Sequence, residues 1–156
     1  MDGSPSFVGP DRVTRLLRDL FGKAVTTKKG VAITSSTKAF TATYIDDGGT
    51  PQCVCACDVP LAASMGSALA LIPPGATVEA IRKGQLPEEM FENLREVLNI
   101  MASLFEGVHV RFRDALPPSV ALPKDAIAIS TRPRVRVDLD LTIASYPGGK
   151  VAFMVA

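Results

Sequence analysis

Apolar and polar positions change their period along the chain, and the first patterned segment has helical spacing. In PDRVTRLLRDLFG, the apolar residues Val13, Leu17 and Phe21 recur every four positions, which predicts an amphipathic helix. Asp11 follows a proline and is the expected N-cap of this helix, and Gly22 is its expected end.

From Lys29 the pattern changes to a period of two, which predicts β-strands. The segments GVAITSS, KAFTATYID and QCVCACD are rich in β-branched and small apolar residues, and the turn residues DDGGTP separate the last two. We therefore expect a hairpin in which Lys38–Ile45 pairs with Gln52–Cys57.

Three helices are predicted between this hairpin and Gly107. The segment VPLAASMGSALALI is small and apolar, so we expect a largely buried helix capped by Asp58. TVEAIRKG predicts a short helix. PEEMFENLREVLNIMASLF predicts a long helix with Pro87 at its first helical position and with Glu88 and Glu89 at the positive end of the dipole.

Strands return after Gly107. VHVRFRD and RVRVDLDLTI alternate apolar and polar residues, AIAIS predicts a short strand, and VAFMVA predicts the last strand. This order predicts an α+β domain in which an antiparallel sheet packs against helices, with the other sheet face at least partly wet. We expect residues 1–10, rich in Ser, Pro and Gly, to be a flexible lead-in and residues 11–156 to be a single domain.

Composition and charge exclude several classes of protein. The chain has 156 residues, of which 47% are hydrophobic and 21% charged, as in a globular domain. Its formal net charge of +1 provides no basic footprint for nucleic acid or an anionic membrane. It has neither an apolar run of roughly 18 residues, as a membrane helix needs, nor a secretory signal. With its odd number of three cysteines, these features predict a cytoplasmic protein.

The common enzyme motifs GxSxG, GxGxxG and the Walker sequence are missing from the chain, and its single histidine, His109, is expected at the surface. Cys53, Cys55 and Cys57 fall on one face of a strand, where thiolates do not converge on one ion as they do in a zinc site. We expect these cysteines to act as small buried hydrophobes, and we expect no metal site.

A row of arginines at Arg132, Arg134 and Arg136 resembles a phosphate-binding stripe. Asp138 and Asp140 continue the same face of the strand and nearly cancel its charge. A solvated sheet face with cross-strand ion pairs is therefore the expected structure.

The exposed side of the long helix carries the one anomaly in the sequence. At roughly 100° per residue, Glu88, Glu92, Glu96 and Asn99 gather opposite the apolar side of the helix. Asn costs roughly 0.6 kcal/mol of helix propensity relative to Ala, so a mid-helix, water-facing Asn99 calls for a reason beyond solubility.

At these residues the chain resembles the CheC/CheX/FliY family of chemotaxis phosphatases. The signature of that family is Asp or Ser, three residues, Glu, two residues and Asn, and ENLREVLNIMAS supplies Glu96 and Asn99. The order of elements from about residue 11 to the end is also similar. Only one Glu-x-x-Asn occurs, as in the single-site CheX type.

The resemblance implies a phosphatase that acts on the receiver domain of a response regulator phosphorylated on aspartate. Asn99 would orient the attacking water, and Glu96 would pair with the partner's active-site lysine. The chain would need no cofactor of its own, because the receiver brings its own Mg²⁺.

The chain departs from the family pattern at three places. Glu92 stands where the family has Asp or Ser, and Ser103 stands where a small residue, usually Gly, follows the apolar pair. The proline expected some twenty-odd residues after the Asn is Pro118, at 19, or Pro123, at 24. These departures keep open a second function, a non-catalytic CheC/CheX-like binding or scaffolding module. The residues also allow a homodimer that pairs through sheet edges, and they do not decide whether catalysis is retained.

Overall fold

Six strands form one antiparallel sheet in the computed structural model, which describes residues 8–34 and 36–156. In chain order they are β1 (Val25–Lys29), β2 (Ala39–Ile45), β3 (Pro51–Asp58), β4 (Arg111–Leu116), β5 (Val135–Ile143) and β6 (Gly149–Val155). Their order across the sheet is β1-β5-β6-β3-β2-β4, so β1 and β4 are its edges.

Five α-helices accompany the sheet in the described part of the chain: α1 (Pro10–Phe21), α2 (Val59–Ala68), α3 (Pro74–Lys83), α4 (Glu88–Ile100) and α5 (Lys124–Thr131). A 3₁₀ turn, Met101–Leu104, continues α4. Helices α1, α2 and α4 cover one face of the sheet, α3 packs on the outer side of α2, and α5 lies on the opposite face. The α+β class predicted from the sequence is confirmed.

The two sheet faces follow from the period-two pattern of the strands. In β3, Cys53, Cys55 and Cys57 point into the main core beneath α2, whereas Val54 and Ala56 point to the face that α5 covers. The predicted hairpin is confirmed, with antiparallel pairs from Ala39↔Asp58 to Ile45↔Pro51.

The second sheet face is packed at its centre and charged elsewhere. Beside the apolar patch under α5, Lys150 contacts Asp140 across β5 and β6 at 2.8 Å, and Arg136 contacts Asp138 along β5 at 3.0 Å. The expected ion-paired face is therefore present. Arg132 does not belong to it, because this residue caps the end of α5 before β5 begins.

Two strand predictions were wrong. AIAIS belongs to α5, because Pro123 starts a helix there and Ala126 and Ile129, three positions apart, are both buried against the sheet. GVAITSS holds no strand over residues 31–34, and Ser35 lies outside the described residues. The strand in this region is β1, an edge strand whose Thr and Lys residues hide its pattern.

The predicted helices are present, but several of their ends differ. Helix α2 ends at Ala68, before the predicted Ile72, and α3 begins at Pro74, before the predicted Thr77. Gly9, not Asp11, is the N-cap of α1, and Pro87 is the N-cap of α4 rather than its first residue. Asp58 caps α2 as expected, accepting a hydrogen bond from the Leu61 N–H at 2.9 Å. Most of the predicted lead-in, residues 1–7, lies outside the described residues, and Val8 is buried against the core.

Helix α2 is almost wholly buried, and α4 packs directly against it. A side chain at Gly66 would collide with the backbone carbonyl of Met90 in α4, so only glycine permits this close approach. Asn93 of α4 reinforces the contact by donating a hydrogen bond to the Gly66 carbonyl at 2.9 Å. The position of α4 is therefore set by backbone contact as well as by side-chain packing.

We expect Gly66→Ala to lower the free energy of unfolding by about 1–3 kcal/mol, because the added methyl group forces α2 and α4 apart. Gly75→Ala in exposed α3 is the matched control, since no atom lies within 4 Å of its new Cβ. That variant should be neutral or up to about 1 kcal/mol more stable. Urea unfolding measures both, and equal effects would contradict the proposed close contact.

Candidate functional site

The long helix α4 is anchored by its apolar side. Leu94, Val97 and Leu98 are buried in the main core, and Met101 continues the same stripe into the 3₁₀ turn. Near the start of the helix, the Phe91 ring lies 5.8 Å from the ring of Phe40 on β2. These contacts confirm the apolar side expected from the sequence.

A buried tyrosine fixes the end of α4. The Tyr44 hydroxyl donates a hydrogen bond to the Leu98 carbonyl at 2.7 Å, beside Asn99 and just before the helix tightens into its 3₁₀ turn. Burial raises the pKa of Tyr44 well above its usual value, so the hydroxyl keeps its proton as a donor. The Tyr44 ring also packs on Phe105 and Phe112, at centroid distances of 5.0 and 5.9 Å.

The opposite side of α4 faces solvent. Glu96 and Asn99 are exposed, and with Glu88 and Glu92 they line a shallow open groove, whose remaining lining residues are Phe91, Arg95 and Phe112. Within residues 8–34 and 36–156, the Glu96 and Asn99 side chains contact no hydrogen-bond or ion-pair partner. Both groups are therefore available to a molecule that docks on this helix.

The two asparagines of α4 differ in their surroundings. Asn93 is half-buried and bonded to the backbone of α2, which gives it a structural role. Asn99 has no such bond among the described residues. The carboxamide of Asn99 offers one acceptor oxygen and two N–H donors on a helix whose other side is packed in the core, which suits it to hold a water molecule.

Sequence analysis missed Arg95 as a member of this groove. Arg95 precedes Glu96 and lies one turn before Asn99, and its guanidinium contacts the Asp114 carboxylate of β4 at 3.6 Å. The same helical arithmetic that grouped the glutamates with Asn99 would have placed Arg95 about 40° from Asn99. Its charge is opposite to that of the glutamates.

The other candidate groups identified from the sequence lie away from the groove. The three cysteines are buried free thiols, and burial raises the pKa of Cys53 and Cys55 to about 12, so these two remain protonated at neutral pH. His109 is exposed, 3.5 Å from Asp47. In the described part of the chain, no cluster of three or more His, Cys, Asp or Glu residues could hold a metal ion.

We expect Tyr44→Phe to lower the free energy of unfolding by about 1–3 kcal/mol, because it leaves the buried Leu98 carbonyl without its donor. Amide hydrogen exchange should also accelerate in the last turn of α4. Tyr146→Phe is the matched control, since that hydroxyl bonds the Ile72 carbonyl at the same 2.7 Å but far from α4 along the chain. If both variants expose α4 equally, Tyr44 does not fix this helix.

Comparison with known proteins identifies the fold. No protein-family model matches the chain, and no curated protein matches it. Among solved structures, the FliM middle domain from H. pylori matches with a TM-score of 0.53 and 8% identity, over 94% of this chain and 84% of that one.

Two further structures match less well. FliY from Thermotoga maritima has a TM-score of 0.46 and 11% identity, over 96% of this chain and 85% of that one. The FliM middle domain from Vibrio alginolyticus has a TM-score of 0.46 and 11% identity, over 94% and 88%. Through its likeness to the H. pylori domain, the chain has the fold of the FliM middle domain, a CheC-like fold.

Proposed function

We propose that the chain is a CheX-like phosphatase that hydrolyses the aspartyl phosphate of a response-regulator receiver domain. One observation carries the proposal. Glu96 and Asn99 lie exposed and without partners among the described residues, on a helix whose other side is firmly packed. The CheC-like fold supports the proposal, because the resemblance in the sequence predicted that fold from the same helix.

Asn99 has the chemistry to orient water. A carboxamide is not a general base at neutral pH, but its oxygen and N–H groups can hold a water in line with the acyl-phosphate bond. The water oxygen forms a new bond to phosphorus as the bond between phosphorus and the aspartyl oxygen breaks. The bonding electrons stay on the aspartate carboxylate, and both water protons leave on the phosphate, which exchanges one with solvent.

Glu96 serves to dock the partner. Its carboxylate is the group expected to pair with the lysine of the receiver's active site, as the resemblance implies. Glu92 and Glu88 extend the negative charge of the same edge by about one and two turns. A negatively charged edge favours association with a partner whose docking surface is positively charged, and it repels a partner whose surface is negatively charged.

The partner supplies the remaining charge stabilisation. In the receiver, Mg²⁺ neutralises charge on the phosphoryl oxygens, and the chain is not expected to bind a metal for this reaction. Receiver domains operate in the cytoplasm, which is therefore the proposed location. None of the helices in the described residues has the length and apolar content that crossing a membrane requires.

Asn99→Ala should lower the rate of receiver dephosphorylation by about 10²-fold, because the water loses its orientation. The same change should raise the free energy of unfolding by up to about 0.6 kcal/mol, since Ala is the better helix former. Loss of phosphate from a phosphorylated receiver and urea unfolding measure the two effects. A variant that keeps wild-type turnover would contradict the role of Asn99.

Glu96→Gln should weaken binding of the receiver about tenfold or more, as expected for a docked charge pair. Glu88→Gln is the matched control, because it removes an equal charge two turns earlier and should change binding much less. Equal losses would indicate general attraction rather than a specific pair. If the wild-type chain binds receivers but leaves their phosphate at its spontaneous decay rate, the chain is a non-catalytic binding module.

A further inference from the structure

We propose that Arg95 contacts the phosphoryl group of the docked receiver and is a third catalytic residue of the site, beside Glu96 and Asn99. This inference rests on the proposed function and extends it. The Glu-x-x-Asn signature contains no cation, so the sequence resemblance assigns no role to this position.

The helix places opposite charges on the two sides of Asn99. At roughly 100° per residue, Glu96 lies about 60° to one side of Asn99 and Arg95 about 40° to the other. All three line the same groove. A carboxamide that holds a water therefore has an anion for a partner lysine on one flank and a cation for a partner phosphate on the other.

Arg95 also supplies the positive charge that partly balances the acidic residues of the groove. Among the residues that line this groove, Glu88, Glu92 and Glu96 are acidic and Arg95 alone is basic. Glu92 and Glu88 lie about 10 and 16 Å from Asn99 along the helix axis, whereas Arg95 lies about 6 Å away. Glu96 lies about 4.5 Å away and is the one carboxylate nearer to Asn99 than Arg95 is. A phosphoryl group held beside Asn99 is therefore closer to Arg95 than to Glu92 or Glu88.

Asp114 contacts the guanidinium of Arg95 without holding it tightly. Asp114 accepts a hydrogen bond from the Ala115 N–H at 2.8 Å, which fixes its carboxylate on β4. Arg95 lies 3.6 Å from that carboxylate, beyond hydrogen-bond distance, and its side chain is 47% exposed. A pair this long and this exposed holds the guanidinium weakly, so its N–H donors are free to turn to a stronger acceptor.

A phosphoryl group is the acceptor that suits this side chain. The guanidinium presents a planar fork of N–H donors that can bind two phosphate oxygens at once. During in-line transfer, negative charge is spread over the three equatorial oxygens, where an arginine supplied by a second protein stabilises it. Arg95 would add this contact from the side of the groove that faces β4.

A purely structural role makes a different prediction. If Arg95 only tethers α4 to β4, removing either member of the pair should have the same effect. Arg95→Ala and Asp114→Asn would then change binding by the same factor. For each variant, that factor would be the same with a phosphorylated receiver as with an unphosphorylated one.

The test measures binding and turnover with receiver domains encoded in the same genome, each prepared with and without trifluoroberyllate as a phosphoryl mimic. Wild type should bind the loaded receiver more tightly. Arg95→Ala should weaken binding of the loaded receiver tenfold or more, leave binding of the unloaded receiver unchanged and lower kcat tenfold or more. Arg95→Lys should restore part of each effect, and Asp114→Asn should stay within about threefold of wild type.

Two results would overturn the inference. Equal loss of loaded and unloaded binding in Arg95→Ala would make Arg95 a general docking contact, and equal effects of Arg95→Ala and Asp114→Asn would make it a structural tether. Failure of the proposed function is distinct, since the wild-type chain would then show no turnover for Asn99→Ala to reduce. In that case the proposed role of Arg95 is also wrong.

Discussion

The hydrogen bond from the buried Tyr44 hydroxyl to the Leu98 carbonyl is the constraint on which the site depends. It joins the central sheet to the last turn of α4, where the helix tightens into its 3₁₀ turn. Helix ends tend to fray, and this bond holds the end of α4 in place. Together with the backbone contact at Gly66, it holds α4 from both ends of its buried side. The backbone of α4 is therefore fixed from its buried side, and the Glu96 and Asn99 side chains keep no hydrogen-bond or ion-pair partner among the described residues.

This arrangement separates stability from function within one helix. The packed side contributes apolar burial and places the backbone, while the wet side presents an amide between a carboxylate and a guanidinium. A site of this kind needs no enclosed pocket, because the second protein supplies the reacting group and excludes the water that surrounds it. Under the proposed function, the low helix propensity of Asn99 is a local cost retained for chemistry.

Much of the fold could be predicted from the sequence because α1, α4 and β5 carry strong periodic patterns. Helix α2 and strand β6 are mostly apolar and were predicted from their composition and from the cap or turn residues before them. The elements that were predicted wrongly are those whose structure is decided by contacts with residues far away in the sequence. AIAIS is short enough to fit either period, and only packing on the far sheet face makes it helical. Edge strand β1 has little apolar pattern because Val25 is its one buried residue.

The candidate site was predicted in part for the same reason. Glu96 and Asn99 follow from helix geometry and from a short motif, whereas the ion pair of Arg95 with Asp114 joins α4 to β4 across 19 residues of chain and has no local signal in the sequence.

The most direct measurement is a crystal structure of this chain with a receiver domain that carries trifluoroberyllate. We expect α4 to enter the receiver's active site, with the Asn99 carboxamide about 3 Å from a water in line with the phosphoryl mimic. A complex in which the receiver binds the α5 face or a sheet edge, with Asn99 still in bulk solvent, would contradict the account.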